Sequence, residues 1–210
     1  MHTHTPRSSR SALPRQSPRT RDRLGKELPK VLFISCTESR LAPQRFVAHP
    51  DQIYEVRNIG NIVLPYNPRI VSGDIATIEY TLTLPNLSDV VISGHSGCTA
   101  VAALLAQKSV SSCMRRWLFV GNSRAASREA VGARIGAVLD AEACERAARA
   151  HLLTQLANLA GYPGLESGRR GGDLRLRALF HSSETGATDI YSPRDNSFVP
   201  LTHQVAGAAR

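Results

Sequence analysis

The hydrophobic pattern of the chain predicts short buried strands that alternate with helices. Two apolar runs, Val31–Ile34 and Val90–Ile92, are rich in β-branched residues and stop at polar or glycine positions. Such runs are typical of strands that are buried on both faces of a parallel sheet. The same pattern predicts further strands at 51–57 and 174–180, a helical turn at 41–48, and helices at about 72–84, 99–107 and 140–160.

Turn signals near the end of the chain change the predicted topology there. Glu184–Gly186 and Arg194–Asn196 each carry turn-forming residues between short apolar stretches, which predicts two hairpins. The predicted fold class is therefore α/β, with a mostly parallel central β-sheet flanked by helices and a C-terminal hairpin. The middle of the chain, 113–137, has a weaker pattern, in which Trp117–Val120 is predicted to anchor the core.

Composition divides the chain into a basic tail and a nearly balanced domain. The net charge is +9, but residues 1–30 hold eight Lys or Arg and only two acidic residues. Residues 1–28 contain almost no large apolar side chain, so we expect a disordered basic tail. A polyanion-binding arm and an organelle transit peptide are the alternatives, although the prolines disfavour the helix that transit peptides form. Residues 29–210 are predicted to form one domain without a specific nucleic-acid surface.

The remaining bulk properties favour a soluble, cytoplasmic protein. No apolar run approaches the roughly 20 residues that span a bilayer, and the N-terminus lacks the apolar region of a signal peptide. The four cysteines are then expected in a reducing compartment, where a metal or catalytic role is a better interpretation than disulfides.

Three residues with metal-binding side chains follow two of the predicted strands. Cys36 comes directly after the first strand, and His95 and Cys98 come after the third. Because chemistry collects beyond the carboxyl ends of strands in an open α/β sheet, we expect these residues to meet. Two thiolates and an imidazole suit Zn²⁺, and three protein ligands leave one position open, as in catalytic sites. The plain alternative is that the cysteines only fill the core, which is the expectation for Cys144.

The order of three motifs resembles that of the β-class carbonic anhydrases. They are Cys36–Arg40 (CTESR), Arg57–Asn61 (RNIGN) and Gly94–Cys98 (GHSGC), and the likeness extends from about residue 29 to about residue 202. The resemblance implies an α/β fold, a homodimer or dimer of dimers, and Zn²⁺ on the three side chains named above. It also implies reversible hydration of CO₂ to bicarbonate and a proton, by attack of zinc-bound hydroxide on CO₂.

The chain departs from the family pattern beside the predicted metal. In the family an Asp–Arg dyad orients the zinc-bound hydroxide. Arg40 matches the arginine, but Glu38 stands where the family has aspartate. Glu38 can pair with Arg40 as a catalytic dyad, reach the metal as a fourth ligand, or form a simple salt bridge. Thr99 replaces a usual glycine, and a Pro- and Arg-rich tail replaces the family's N-terminal helices.

These departures leave three functional hypotheses. The leading one is a zinc-dependent carbonic anhydrase, a lyase, with Glu38 and Arg40 as catalytic residues. The second is a hydrolase that acts on CS₂ or COS on the same fold. The third is a catalytically weak or inactive zinc-binding homologue with a regulatory or scaffold role, in which Glu38 closes the metal site.

Overall fold

A computed structural model describes residues 30–46, 52–106, 111–121, 140–170 and 174–201. The strands are β1 (Val31–Cys36), β2 (Ile53–Asn58), β3 (Asp89–His95), β4 (Arg175–His181), β5 (Thr188–Ser192) and β6 (Ser197–Pro200). A 3-10 turn spans Pro43–Phe46, and the α-helices are α1 (Gly73–Leu82), α2 (Thr99–Ala106), α3 (Ser112–Val120), α4 (Ala141–Ala160) and α5 (Pro163–Arg170). The predicted tail, 1–28, lies outside the described residues.

The strands form one six-stranded sheet in the order β2-β1-β3-β4-β5-β6. The pairs β1–β2, β1–β3 and β3–β4 are parallel, whereas β4–β5 and β5–β6 are antiparallel. The predicted α/β class, with a mostly parallel sheet and a C-terminal hairpin, is therefore confirmed. This topology places the carboxyl ends of β1, β3 and β4 side by side at one edge of the sheet.

The central strands are buried because their side chains are apolar on both faces. Every residue of β1 and β3 is buried. Leu32, Ile34, Val90 and Ile92 face the larger core cluster, while Phe33 and its neighbours pack on the other face. Strands of this kind have no solvent-facing side, which explains why their sequences are continuous apolar runs.

Helix α4 covers the sheet next to the carboxyl ends of β3 and β4. Asp140 begins the helix, because its carboxylate accepts hydrogen bonds from the backbone N–H groups of Glu142 and Ala143. The buried face includes Leu152 and Leu159, both without exposed surface. It also carries two polar side chains, His151 and Gln155. Polar groups on a core-facing stripe need partners, and both find them in the loop that follows β2.

Two sequence predictions need correction in detail. Trp117–Val120 was expected to anchor the core as a unit, but only Leu118 is buried and Phe119 is 72% exposed. The segment lies in α3, where successive side chains point about 100° apart and cannot share one face. The turn predicted at 41–48 is a 3-10 turn over Pro43–Phe46, and positions 47–48 lie outside the described residues.

Within the part of the chain that is described, no helix is both long and apolar enough to span a membrane.

Candidate metal centre

The candidate site lies at the carboxyl edge of the sheet, between β1, β3 and the start of α2. Ser35 pairs with Ser93 in the parallel register of β1 and β3, so Cys36 ends its strand beside the Gly94–His95 end of the next. Cys98 follows after a short turn, and its carbonyl accepts the first backbone hydrogen bond of α2, from Ala102, at 2.9 Å. Sheet register and helix start together bring the three predicted ligands to one place.

Four side chains converge in this position. The ligand atoms of Cys36, Glu38, His95 and Cys98 all lie within 4.8 Å of one another. The two sulphur atoms are 4.0 Å apart. The cysteines and the histidine are buried, whereas Glu38 is exposed. The structure therefore brings together the residues that the sequence singled out, with the carboxylate on the open side of the cluster.

The imidazole of His95 is oriented by a backbone carbonyl. Its Nδ1 lies 2.9 Å from the carbonyl oxygen of Ser96, which can only accept, so Nδ1 carries the proton. The other ring nitrogen, Nε2, is buried and has no hydrogen-bond partner among the described residues. Burial alone lowers the pKa of His95, but the neighbouring Cys36 thiolate outweighs it and the net pKa is raised. An oriented ring with an unpartnered nitrogen is the arrangement of a metal-binding histidine.

The two sulphur atoms differ in their hydrogen bonds. The pKa of Cys36 is lowered, chiefly because its sulphur accepts a hydrogen bond from the Cys98 thiol. Burial acts in the opposite direction, but further hydrogen bonds, including one from the backbone N–H of Gly60 at 3.2 Å, also lower this pKa. The pKa of Cys98 is raised because its thiol is the donor in that pair and because it is buried. Backbone N–H groups of Val101 and Ala100 in α2 act in the opposite direction. A metal bound through both sulphurs would therefore have to displace the proton of Cys98.

Glu38 is held by the start of α2 rather than by Arg40. Its Oε2 accepts the backbone N–H of Thr99 at 2.9 Å. Thr99 is the first residue of the helix, where unpaired N–H groups and the helix dipole favour a negative charge. In the described part of the chain, the structure shows no ion pair between Glu38 and Arg40, and Arg40 is exposed. The structure therefore brings Glu38 to the predicted cluster but does not form the predicted pair.

The loop that carries Glu38 is fixed by Arg57, the first residue of the motif Arg57–Asn61. Its guanidinium donates to the carbonyl oxygens of Ser39 at 3.0 Å and Leu41 at 3.1 Å. One rigid fork thus ties the end of β2 to the loop after β1. The motif gave the signal for Arg57, but the partners are backbone atoms that no sequence pattern identifies.

Two further side chains near the site were missed altogether. The indole Nε1 of Trp117 donates to the carbonyl of Ile59 at 2.9 Å. The Nε2 of His151 lies 2.7 Å from the carbonyl oxygen of Gly60. The sequence predicts Trp117 only as part of the core anchor Trp117–Val120, and it predicts no ligand role for His151. Neither has ligand spacing to the metal motifs, so the sequence held no signal for these contacts.

Among the residues that the structure describes, the other cysteines and histidines lie outside the cluster. Cys113 is exposed and Cys144 is half-buried in α4. His181 is buried in β4, directly opposite His95 in the sheet register. His49 and His203 fall outside the described residues.

Comparison with known proteins identifies the carbonic anhydrases as similar to this chain. A family model described as carbonic anhydrase matches residues 31–188. The chain is 28% identical over 198 residues to a carbonic anhydrase of Pseudomonas aeruginosa, covering 93% of this chain and 88% of that protein. It is 30% identical over 195 residues to carbonic anhydrase 1 of Escherichia coli, covering 91% of this chain and 87% of that protein.

Solved structures agree with this assignment. The β-carbonic anhydrase CcaA matches with a TM-score of 0.70 at 27% sequence identity, over 84% of this chain and 79% of that chain. A tetrameric β-carbonic anhydrase from Sordaria macrospora shares the fold, with a TM-score of 0.67 at 22% identity, over 80% of this chain and 82% of that chain. The sequence and structure comparisons therefore agree, and the chain belongs to the β-class carbonic anhydrase family of enzymes.

Proposed function

We propose that this chain catalyses the reversible hydration of CO₂ to bicarbonate and a proton, with Zn²⁺ held by Cys36, His95 and Cys98. The observation that carries the proposal is the convergence of two buried thiols and a buried imidazole at the carboxyl edge of the sheet, with ligand atoms within 4.8 Å. Membership of the carbonic anhydrase family supports the reaction class.

The donor set fits zinc on chemical grounds. Thiolate and imidazole are the ligands that Zn²⁺ prefers, and three of them leave a position for water. The buried, unpartnered Nε2 of His95 would be an uncompensated polar atom without a metal, and a bound ion satisfies it. When bound, Zn²⁺ supplies a Lewis acid that lowers the pKa of a coordinated water toward about 7.

The carboxylate of Glu38 is proposed to orient the reacting water. The amide of Thr99 holds Oε2 at 2.9 Å, and Oε1 remains able to accept a hydrogen bond from the water. Aspartate carries its carboxylate on a shorter side chain, so the longer glutamate reaches the helix start while its charge stays beside the ligands. Backbone anchoring thus does for Glu38 what the arginine of the family dyad is expected to do. The role predicted for Arg40 stays a prediction.

One observation also favours a closed site as the second candidate. A carboxylate oxygen of Glu38 belongs to the cluster within 4.8 Å, so the side chain can become a fourth ligand. Such a protein would bind zinc fully and react slowly, because the position for water would be taken. The two candidates make opposite predictions for the removal of the carboxylate.

The deciding experiment is stopped-flow CO₂ hydration by zinc-quantified protein between about pH 6.5 and 9. If Glu38 orients the water, Glu38→Gln and Glu38→Ala lower kcat by about 10²-fold at one zinc per chain. If Glu38 closes the site, the wild type is slow and both variants are faster. Glu142→Gln, on the exposed start of α4, is the matched control and is expected to leave the rate unchanged. A fully zinc-loaded wild type without activity, in which neither variant restores it, would refute the carbonic anhydrase proposal.

We also propose a homodimer or a dimer of dimers. The Sordaria macrospora neighbour is described as tetrameric. Val71 is 94% exposed, Phe119 is 72% exposed and Ile70 is partly exposed, so apolar surface is available for a subunit contact. Light scattering of the purified protein tests this, and a strict monomer at micromolar concentration would contradict it. Cytoplasmic localisation and the role of residues 1–28 stay predictions.

A further inference from the structure

Trp117 and His151, which lie outside the proposed ligand set, hold the backbone segment that touches the Cys36 sulphur. Trp117 of α3 donates to the carbonyl of Ile59, and His151 of α4 contacts the carbonyl of Gly60. The backbone N–H of Gly60 donates to Cys36 Sγ at 3.2 Å. Helices α3 and α4 therefore both hold the short loop at Ile59 and Gly60, whose backbone N–H at Gly60 contacts the Cys36 sulphur.

The contact of Trp117 acts through the same peptide group that reaches the sulphur. The carbonyl of Ile59 and the N–H of Gly60 belong to one planar peptide unit. Its oxygen accepts the indole N–H at 2.9 Å, while its nitrogen donates to the sulphur at 3.2 Å. Hydrogen bonds in such a chain polarise one another, so the indole strengthens the donation to the thiolate.

His151 holds the next carbonyl at a cost to stability. The carbonyl of Gly60 can only accept, so Nε2 of His151 carries the proton, and the two atoms are 2.7 Å apart. The ring is 1% exposed, and its Nδ1 has no hydrogen-bond partner among the residues that the structure describes. A buried unsatisfied nitrogen is unfavourable, and an apolar residue on the same helix face would avoid it. Packing alone therefore does not explain a histidine at this position.

We propose that Trp117 and His151 are positioning residues that keep the Gly60 N–H on the Cys36 sulphur and thereby limit the electron density that this thiolate gives to zinc. The inference rests on the proposed zinc site. A hydrogen bond to a coordinating sulphur withdraws charge from the metal–sulphur bond, so the metal stays more electrophilic. This matters more with two thiolate ligands than with three imidazoles, because thiolates are the stronger electron donors.

The test uses the full chain with Co²⁺ in place of zinc, because thiolate–cobalt charge-transfer bands report directly on the sulphur. In Trp117→Phe and His151→Leu, which remove the N–H donors, the band is expected to move to lower energy. His151→Gln places an amide N–H near the original Nε2 and is expected to restore the wild-type position of the band.

Asn158→Leu is the matched control for lost hydrogen bonding. Asn158 lies on the same helix and donates to the carbonyl of Val63 at 2.9 Å, in the same loop but away from the sulphur. Its loss lowers stability and is expected to leave the cobalt band in place. If Trp117→Phe keeps its fold by circular dichroism and its band does not move, the proposal is wrong, even if His151→Leu fails to fold. The proposal is equally wrong if Asn158→Leu shifts the band as much.

The wild-type measurement separates this inference from the proposed function. A wild type with no thiolate–cobalt band overturns the inference, because Cys36 is then not a ligand. A wild type that shows the band but does not hydrate CO₂ refutes the proposed function alone. The band shifts of the variants still decide the positioning role in that case, since they need no turnover.

Discussion

A methyl group at residue 60 should damage the candidate metal centre without touching any ligand. Gly60 has a φ of +83°, and a Cβ built on it would lie 3.0 Å from the Cβ of Ala100. Ala100 has no exposed surface and lies in the first turn of α2, two residues after Cys98. Gly60→Ala therefore strains the backbone that donates to Cys36 and pushes on the helix that begins at the other sulphur.

The expected magnitude has two parts. A left-handed backbone costs a residue with a Cβ roughly 1–2 kcal/mol. Overpacking against a buried neighbour adds roughly 1–3 kcal/mol. Gly186 isolates the first part, because its φ is +72° and a Cβ there has no neighbour within 4 Å. We therefore expect Gly186→Ala to lose about 1–2 kcal/mol of unfolding free energy, and Gly60→Ala to lose about 2–5 kcal/mol.

The assay is urea unfolding of the chelator-treated protein at one protein concentration, with zinc content measured separately. Ala100→Gly removes the methyl group that the new Cβ would meet. In a double-mutant cycle, this change is expected to recover roughly 1–3 kcal/mol in the Gly60→Ala background after correction for its own helix cost of about 1 kcal/mol. Zinc content is expected to fall in Gly60→Ala and to stay at the wild-type level in Gly186→Ala.

Two results would refute this reasoning. Equal losses of stability in Gly60→Ala and Gly186→Ala would mean that the contact with Ala100 does not exist or relaxes freely. Full zinc content and an unchanged rate of CO₂ hydration in Gly60→Ala would mean that the Gly60 N–H is not needed at the Cys36 sulphur.

Three further predictions concern residues around the sheet. Asp89→Asn removes a buried carboxylate that binds both arginines of β4, so we expect the free energy of unfolding in urea to fall by about 1.5–3 kcal/mol. The zinc content is expected to stay unchanged, because the candidate metal centre lies at the other end of β3. Burial lowers the pKa of His151, so as the pH falls below about 6.5 the unfolded chain takes up this proton before the folded protein does. Stability then falls by at most about 1.4 kcal/mol per pH unit until the folded protein is protonated as well, and His151→Leu should flatten that dependence. Arg57→Lys cannot form the fork to the loop after β1, and we expect kcat to fall by up to about 10²-fold at full zinc content in the hydration assay; an unchanged kcat would contradict the anchoring role.

The convergence of Cys36, His95 and Cys98 could be predicted because it depends on two simple rules. Apolar runs identified β1 and β3, and parallel strands end at the same edge of the sheet. The ligands follow those ends within a few residues, so errors of one or two residues in the strand limits did not matter. The C-terminal hairpins could be predicted equally well, because their turns carry glycine and polar residues.

The contacts that refine the site could not be predicted, because their partners are backbone atoms. Glu38 is predicted to pair with Arg40 or to reach the metal; it does lie in the cluster, but the backbone N–H of Thr99 that holds it could not be foreseen. His151 and Trp117 meet carbonyls of a loop that is remote in sequence. Every residue has such groups, so residue types alone do not show which of them a side chain will reach.

The distance between the two sulphurs along the chain determines when the proposed zinc centre can assemble during folding. Cys36 and Cys98 are separated by 62 residues and meet only after β1 has paired with β3. Closing so long a loop is a slow, cooperative step, and before it only two of the three proposed ligands, His95 and Cys98, are neighbours in the chain. Zinc fingers show the opposite order, since there the ion drives folding. We therefore expect the proposed centre to form late, after the sheet, and we expect a chelator to remove the metal while the sheet persists.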